Sequence, residues 1–132
     1  MVKERYCSPE VSRLLREKGF NEECHHIYVD VTLEWTNTIY GDDVISNNEI
    51  PDVDTDVITA PTNQMACDWL REVHGIFIAI NNDDLDFNWQ CYDLINRSST
   101  LDPKILSESY AGYKAYGEAV EAALKYSLEN LV

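Results

Sequence analysis

The residues best placed to do chemistry are three alternating aspartates, Asp52, Asp54 and Asp56. Alternating carboxylates open the calcium loop of EF-hand proteins, where a glycine at the sixth position makes the turn and a glutamate at the twelfth binds the ion through two oxygens. Val57 and Asn63 stand at those two positions here. We therefore interpret the segment as a solvated acidic loop and predict no metal site and no cofactor.

Three further candidate metal ligands follow one another at Cys24, His25 and His26. Adjacent side chains point in different directions, so at most two of them can reach one ion, whereas zinc takes three or four protein ligands. The cysteines and histidines of the chain also lack the neighbouring residues that mark an activated nucleophile. We predict no catalytic residue and favour a protein that is not an enzyme.

Tyr110, Tyr113 and Tyr116 recur every three residues near the end of the chain. On one helix face, these rings would form a stacking platform for a ligand or a peptide. Such tyrosines more often cover the edge of a sheet and direct their hydroxyl groups to water. A small enzyme or ligand-binding domain that uses this region or the acidic loop is therefore one alternative.

Charge is distributed unevenly along the 132 residues. The chain has 10 Lys and Arg against 24 Asp and Glu, a formal net charge of −14, and no basic residue lies between Lys18 and Arg71. A field of this sign repels phosphate backbones and anionic lipids, so we expect no direct binding to nucleic acid or membranes. A protein partner with a basic patch fits better. The aspartates of the polar segment 36–60 are the predicted partner-binding residues: Asp42, Asp43, Asp52, Asp54 and Asp56.

The four cysteines are far apart in the sequence, at Cys7, Cys24, Cys67 and Cys91. The chain begins MVKERYCSPE, without the apolar stretch typical of a signal peptide. No apolar run approaches the length needed to span a bilayer. We therefore expect reduced cysteines and a cytoplasmic protein.

The elements that must position these residues follow from the sequence pattern. Ser8 and Pro9 are typical of a helix start, and Gly19 of its end. Residues 26–35 alternate between apolar and polar, which predicts one strand. Its buried face would carry Ile27, Val29, Val31, Leu33 and Trp35. Segment 36–60 is predicted as a loop that either stays irregular or contains a short strand at 44–45 or 57–58.

The second half predicts a helix from the N-cap Thr62 to His74, with Met65, Ala66, Trp69, Leu70 and Val73 on its apolar face. A strand over 76–80, a turn at 81–84 and a returning strand over 85–95 follow. Residues 96–109 are predicted as a loop, and the last helix is expected to begin between 110 and 116. The order α-β-α-β-β-α predicts a single α+β domain over 1–132. Its small, mostly antiparallel sheet would have three strands, or four with one from the loop, beside three helices.

Three stretches are distinctive when taken together: YCSPEV and LLREKGF within residues 6–20, APT, WLRE and GI within 60–76, and the helical pattern of 116–131. They resemble a group of small uncharacterised proteins encoded by phages, prophages and mobile elements of gut Bacteroidales. The resemblance covers most of the chain outside 36–58. It implies a bacterial host cytoplasm and a phage or prophage setting, without implying an activity.

The leading hypothesis is therefore an acidic protein-interaction or accessory module. An alternative is a nucleic-acid mimic, in which carboxylates replace phosphates and block a DNA-binding protein. A homodimer is a further alternative, because Trp35 or Ile39 could either lie in a dimer interface or complete the core.

Overall fold

The structure, a computed structural model, describes residues 5–83, 86–93, 104–109 and 112–132. The chain divides into two compact units, Met1–Thr62 and Asn63–Val132, here called the N-terminal and C-terminal units. The prediction of a single domain stays a prediction. The α-helices are α1 (Pro9–Glu17), α2 (Thr36–Tyr40), α3 (Asn63–His74) and α4 (Tyr116–Asn130), with a 3-10 turn at Asn47–Glu49. The strands are β1 (His26–Val29), β2 (Thr32–Trp35), β3 (Val57–Thr59), β4 (Ile76–Asp83), β5 (Asp86–Asp93) and β6 (Lys104–Glu108).

The α+β class is confirmed, and the predicted order of elements is roughly right. The prediction of one sheet is wrong, because each unit contains its own three-stranded antiparallel sheet, ordered β2-β1-β3 and β4-β5-β6. The described residues also form four α-helices where three were predicted. None of these helices is both long and apolar enough to cross a membrane.

Helix α1 begins and ends as its sequence predicts. The hydroxyl oxygen of Ser8 accepts the N–H of Val11 at 3.2 Å. At the other end Gly19 takes φ +94°, a conformation that glycine adopts without steric cost. The N–H of the buried Phe20 then donates to the carbonyl oxygen of Leu15 at 2.9 Å, which satisfies a carbonyl of the last turn.

The prediction of one strand over 26–35 is wrong, because the segment is a hairpin. Val29 pairs with Thr32, so Asp30 and Val31 form a two-residue turn. Asp30 has φ 60°, which aspartate tolerates better than most residues with a side chain. The alternation of apolar and polar residues continues through the turn, and it therefore gave no sign that the chain reverses.

The reversal places the apolar residues of the two strands on opposite faces. Leu33 pairs with Tyr28, and paired residues share a face of the sheet, so Leu33 and Trp35 lie on the Tyr28 side. Ile27 pairs with Glu34 and faces the other way. The predicted single buried face is therefore wrong for β2.

The polar segment 36–60 is more ordered than predicted. It contains α2, the 3-10 turn and β3, and the alternative of a strand at 57–58 is confirmed. Ile45 forms a single bridge with Cys24. One face of the sheet packs a cluster of apolar side chains: Ile27, Ile45, Val57, Val29, Tyr40 and Ile50. The other face buries Tyr28, Ile58 and Ala60.

The C-terminal unit packs α3 and α4 on its sheet. Helix α3 ends before Gly75, whose φ is 67°. Most of its predicted apolar face is buried, but Val73 is exposed. Helix α4 begins at Tyr116, within the predicted range, and buries Val120, Ala123, Leu124 and Leu128.

Two predictions for this sheet are wrong. Residues 81–83 belong to β4, because Asn81 pairs with Asn88 and Asn82 with Phe87. The predicted loop 96–109 contains β6, whose pairing with β5 supplies the backbone partners that its polar sequence did not suggest. Residues 84–85, 94–103 and 110–111 lie outside the described residues.

Candidate protein-interaction surface

Asp42 and Asp43 follow the end of α2. The helix ends at Gly41, which has φ +84° and whose N–H donates to the carbonyl oxygen of Asn37 at 3.1 Å. Both aspartates are exposed. The Nδ1 atom of His25 donates to the carbonyl oxygen of Asp43 at 3.2 Å, which places this pair beside the start of β1.

Asp54 is the best-anchored residue of the acidic loop. Its N–H donates to the carbonyl oxygen of Pro51 at 2.9 Å, and its own carbonyl accepts the N–H of Val57 at 3.2 Å. The hydroxyl group of Tyr40 donates to Asp54 Oδ2 at 2.7 Å. Burial, the hydrogen bond to Asp54 and the nearby carboxylates of Asp54 and Asp56 raise the pKa of Tyr40 to about 12.

Asp56 lies beside the turn of the hairpin. Its carbonyl oxygen accepts the N–H of Asp30 at 2.8 Å. His25 precedes β1 and Asp30 follows it, so the two ends are about 16 Å apart at the usual rise of a strand. The backbone of Asp56 therefore lies beside Asp30 at one end of β1 and that of Asp43 beside His25 at the other, while the Tyr40–Asp54 hydrogen bond joins the loop to the end of α2.

An exposed apolar surface lies on β2, the turn before it and α2, where the sequence predicted a buried face for Val31, Leu33 and Trp35. We call it the β2 strip. Its residues and their exposed fractions are Val31 at 63%, Leu33 at 39%, Trp35 at 58% and Ile39 at 46%. An alternating apolar pattern that passes through a two-residue turn changes faces, so the strip could be found only once the turn was known.

Trp35 is exposed but held in position. One face of its ring lies 4.0 Å from the ring of His26, and His26 in turn lies 4.5 Å from Tyr6, measured between ring centroids. His26 is buried within this row. The indole therefore offers solvent an apolar ring that loses little conformational freedom when a partner covers it.

The candidate metal ligands Cys24, His25 and His26 do not converge. Cys24 is buried and its thiol donates to the carbonyl oxygen of Glu22 at 3.5 Å, while His25 and His26 take the separate positions described above. Burial raises the pKa of the Cys24 thiol to about 11, which suppresses the reactive thiolate at neutral pH. In the part of the chain that the structure describes, no three His, Cys, Asp or Glu side chains come together as a metal site.

Tyr113 and Tyr116 do not share a helix face. Tyr113 precedes α4 and exchanges backbone hydrogen bonds with Phe87, both at 2.8 Å. Tyr116 begins α4, and its ring meets the ring of Phe87 edge-on at 6.0 Å. Tyr110 lies outside the described residues, so its part in the predicted platform stays a prediction.

The C-terminal unit has a polar cleft of about 400 Å³. Its side chains bond one another, since Asn81 donates to Gln90 at 3.0 Å and Gln90 donates to Glu108 at 3.1 Å. Asp86 at its rim accepts Lys114 at 2.8 Å. These groups are engaged within the protein, and they do not form the free set of acid, base and nucleophile that a hydrolytic site needs.

Comparison of the chain with protein-family models, curated proteins and solved structures found no match. The geometry and charge of the chain's own surfaces are therefore the basis for a functional conclusion. Among the described residues, the β2 strip and the acids at the two ends of β1 are the strongest candidate surface.

Proposed function

We propose that this chain is a non-enzymatic interaction module that binds a basic segment of a partner protein at the β2 strip. The observation that carries the proposal is the exposure of four apolar side chains on one hairpin and the helix that follows it. Contiguous exposed apolar side chains rimmed by polar residues are typical of interaction sites. The sequence around them, from Lys18 to Arg71, has no other basic residue.

The acids supply the second half of the proposed recognition. Two of the acids have their backbones at opposite ends of β1, Asp43 near His25 and Asp56 near Asp30. Carboxylates placed this way attract Lys and Arg side chains and raise the rate of encounter with a basic partner. The field is also unfavourable for nucleic acids and anionic membranes.

This arrangement does not favour the nucleic-acid mimic. A mimic needs carboxylates at nearly regular spacing along one continuous face, whereas the backbones of Asp43 and Asp56 lie at opposite ends of β1. The cytoplasm of a bacterial host and an origin in a phage or prophage rest on the resemblance described above. Within that setting, the module would act as an accessory protein that modulates a host protein.

The proposal is tested by capture from bacterial lysate with immobilised protein, followed by mass spectrometry at low and high salt. The strip variant carries Leu33→Ser and Trp35→Ser, and the control carries Val73→Ser, an apolar residue of α3 that is as exposed as Trp35. We expect the wild type and the control to retain basic proteins at low salt. High salt should release these proteins, and the strip variant should not retain them. Retention of the same proteins by the strip variant would contradict the proposal.

A second pair of variants locates the acids that contribute. Asp42→Asn with Asp43→Asn neutralises the group near His25, and Asp52→Asn with Asp56→Asn neutralises acids of the loop before β3. Each pair should reduce the salt dependence of capture, because fewer carboxylates then attract the partner. A salt dependence unchanged by both pairs would remove these aspartates from the interface.

A further inference from the structure

Strand β2 is an open edge of the N-terminal sheet. The order β2-β1-β3 leaves β2 with a neighbour on one side only. Thr36 donates its N–H to the carbonyl oxygen of His25 at 2.8 Å, so these two residues form a hydrogen-bonded pair of the antiparallel ladder. Such pairs alternate with non-bonded ones, which makes Leu33 and Trp35 non-bonded positions relative to β1. The N–H and C=O groups of Leu33, and the N–H of Trp35, therefore point away from the sheet.

The opposite edge of the same sheet is closed by side chains. Arg16 donates to the carbonyl oxygen of Val57 at 3.4 Å, and the side-chain oxygen of Asn47 accepts the N–H of Thr59 at 3.1 Å. Among the hydrogen bonds that the described residues form between elements, none comparable to these two involves Leu33. The fold thus protects one edge of the sheet and leaves the other available for pairing.

We infer that the partner segment binds as a fourth strand, added to the free edge of β2. This inference rests on the proposed function and specifies its mode of binding. Strand addition takes its affinity from main-chain hydrogen bonds and its specificity from alternate side chains. Leu33 would exchange hydrogen bonds with the added strand, and the exposed ring of Trp35 would cover its apolar side chains.

The two faces of β2 define the sequence of the added strand. Side chains of the added strand alternate between faces, so every second one lies beside Leu33 and Trp35 and the others beside Glu34. Opposite charges on neighbouring strands attract, and apolar side chains pack against Leu33 and Trp35. The segment that fits is therefore one in which apolar residues alternate with Lys or Arg.

A second copy of this chain fits the edge poorly. Each copy carries a net charge of −14, and pairing β2 with β2 would bring Asp30 and Glu34 of one copy near those of the other. Like charges on facing strands oppose pairing. The same acids that repel another copy attract a basic strand, which selects a different protein as the occupant.

Synthetic peptides separate the mode of binding from the general attraction to basic segments. One peptide alternates Val and Lys, and a second has the same composition with the valines and lysines in separate blocks. Two further peptides keep the alternating sequence. One carries N-methyl groups on the backbone nitrogens of one edge of the strand, and the other carries them on the opposite edge. Binding is measured by fluorescence anisotropy of labelled peptide.

Strand addition predicts that the alternating peptide binds about tenfold more tightly than the block peptide. N-methylation on one edge should cost about tenfold, while methylation on the other edge should leave binding unchanged, because only one edge faces β2. Equal binding of the two methylated peptides, or of the block and alternating peptides, would overturn strand addition and leave the proposed function standing. Absence of binding by every basic peptide would count against the proposed function itself.

Variants of Leu33 test the same edge from the protein side. Proline removes the outward N–H and is tolerated where that N–H faces solvent, whereas Leu33→Val keeps the N–H and an apolar side chain. We expect Leu33→Pro to weaken the alternating peptide about tenfold and Leu33→Val to change it less than threefold, at equal near-ultraviolet circular dichroism. Equal binding by the two variants would overturn strand addition. Sedimentation that shows a dimer lost in Leu33→Pro would make a second copy the occupant and overturn the choice of partner.

Discussion

The two units contain the same kind of sheet and treat its apolar residues differently. In the C-terminal unit, α3 and α4 pack on the sheet, and Ile76, Trp89 and Cys91 are buried. In the N-terminal unit, the hairpin leaves Leu33 and Trp35 exposed. The C-terminal sheet also exposes Phe77 at 39% and Ile105 at 50%, but these lie on two different strands, whereas Leu33 and Trp35 lie together on one edge strand. The lengths of the two units and the topologies of their sheets would not by themselves reveal this difference.

The two units also differ in where their basic residues lie relative to their acidic ones. In the C-terminal unit, Asp68 lies 3.1 Å from Arg71 and Asp86 lies 2.8 Å from Lys114. Exposed pairs of this kind contribute at most about 1 kcal/mol each, so their main effect is to reduce the local field. In the N-terminal unit the stretch after Lys18 has no Lys or Arg, and Arg16 of α1 lies beside the acidic loop, where it donates to the carbonyl oxygen of Val57 at 3.4 Å.

The largest expected effect compares two apolar residues of the same hairpin. Ile27→Ala removes a fully buried side chain, and we expect the free energy of unfolding to fall by about 3 kcal/mol. Leu33→Ala removes a side chain that is already exposed, and the loss should be under about 1 kcal/mol. Urea unfolding of both variants measures the difference. Equal losses would show that Leu33 belongs to the core and would break the comparison.

A smaller effect distinguishes the structural reasons why glycine is needed at two positions, Gly112 and Gly41. A Cβ atom on Gly112 would lie 2.4 Å from the Cβ of Asp86, so we expect Gly112→Ala to cost about 1–3 kcal/mol through overpacking. Gly41 has open space and φ +84°, so Gly41→Ala should cost about 1–2 kcal/mol through backbone strain alone.

Asparagine distinguishes the two causes, because it accepts positive φ but is larger than alanine. Thermal unfolding should show Gly41→Asn to be milder than Gly41→Ala, and Gly112→Asn to be worse than Gly112→Ala. The reverse order at either position would contradict the structural reason given for that glycine.

The smallest effect concerns the Tyr40–Asp54 hydrogen bond of the acidic loop. Tyr40→Phe should lower the free energy of unfolding by about 0.5–1.5 kcal/mol at neutral pH. The pKa of Tyr40 rises in the folded state from 10.0 to about 12, so its contribution is fully present below pH 10 and is lost as the pH rises towards 12. Stability measured across this alkaline range should therefore fall more steeply in the wild type than in Tyr40→Phe. The exposed Tyr116→Phe serves as the control, and a wild-type slope matched by Tyr40→Phe would exclude the bond.

Local signals in the sequence predicted the helices well. Ser8 and Gly19 delimit α1 because capping depends on residues within one turn of the helix end. The hairpin was missed because Asp30-Val31 is not one of the dipeptides that usually mark a two-residue turn. Strand β6 was missed because its backbone partners come from β5, at a distance in sequence that periodicity does not sense.

The sequence predicted the composition of the candidate site, but it did not predict which of its residues lie close together. The excess of acids after Lys18 is visible in the sequence. Their arrangement depends on contacts such as those of Asp43 with His25 and of Asp56 with Asp30, which join residues 18 and 26 positions apart. Only the folded chain determines which acids become neighbours.

The two-residue turn at Asp30 and Val31 has a consequence for how the sequence can vary. A single inserted residue that extended the turn would shift β2 by one position and rotate every one of its side chains to the opposite face. Leu33 and Trp35 would then point towards the side of Ile27, and the apolar strip would disappear although no residue of β2 had changed. The exposed apolar strip is therefore encoded by the length of a turn as much as by the identity of its residues.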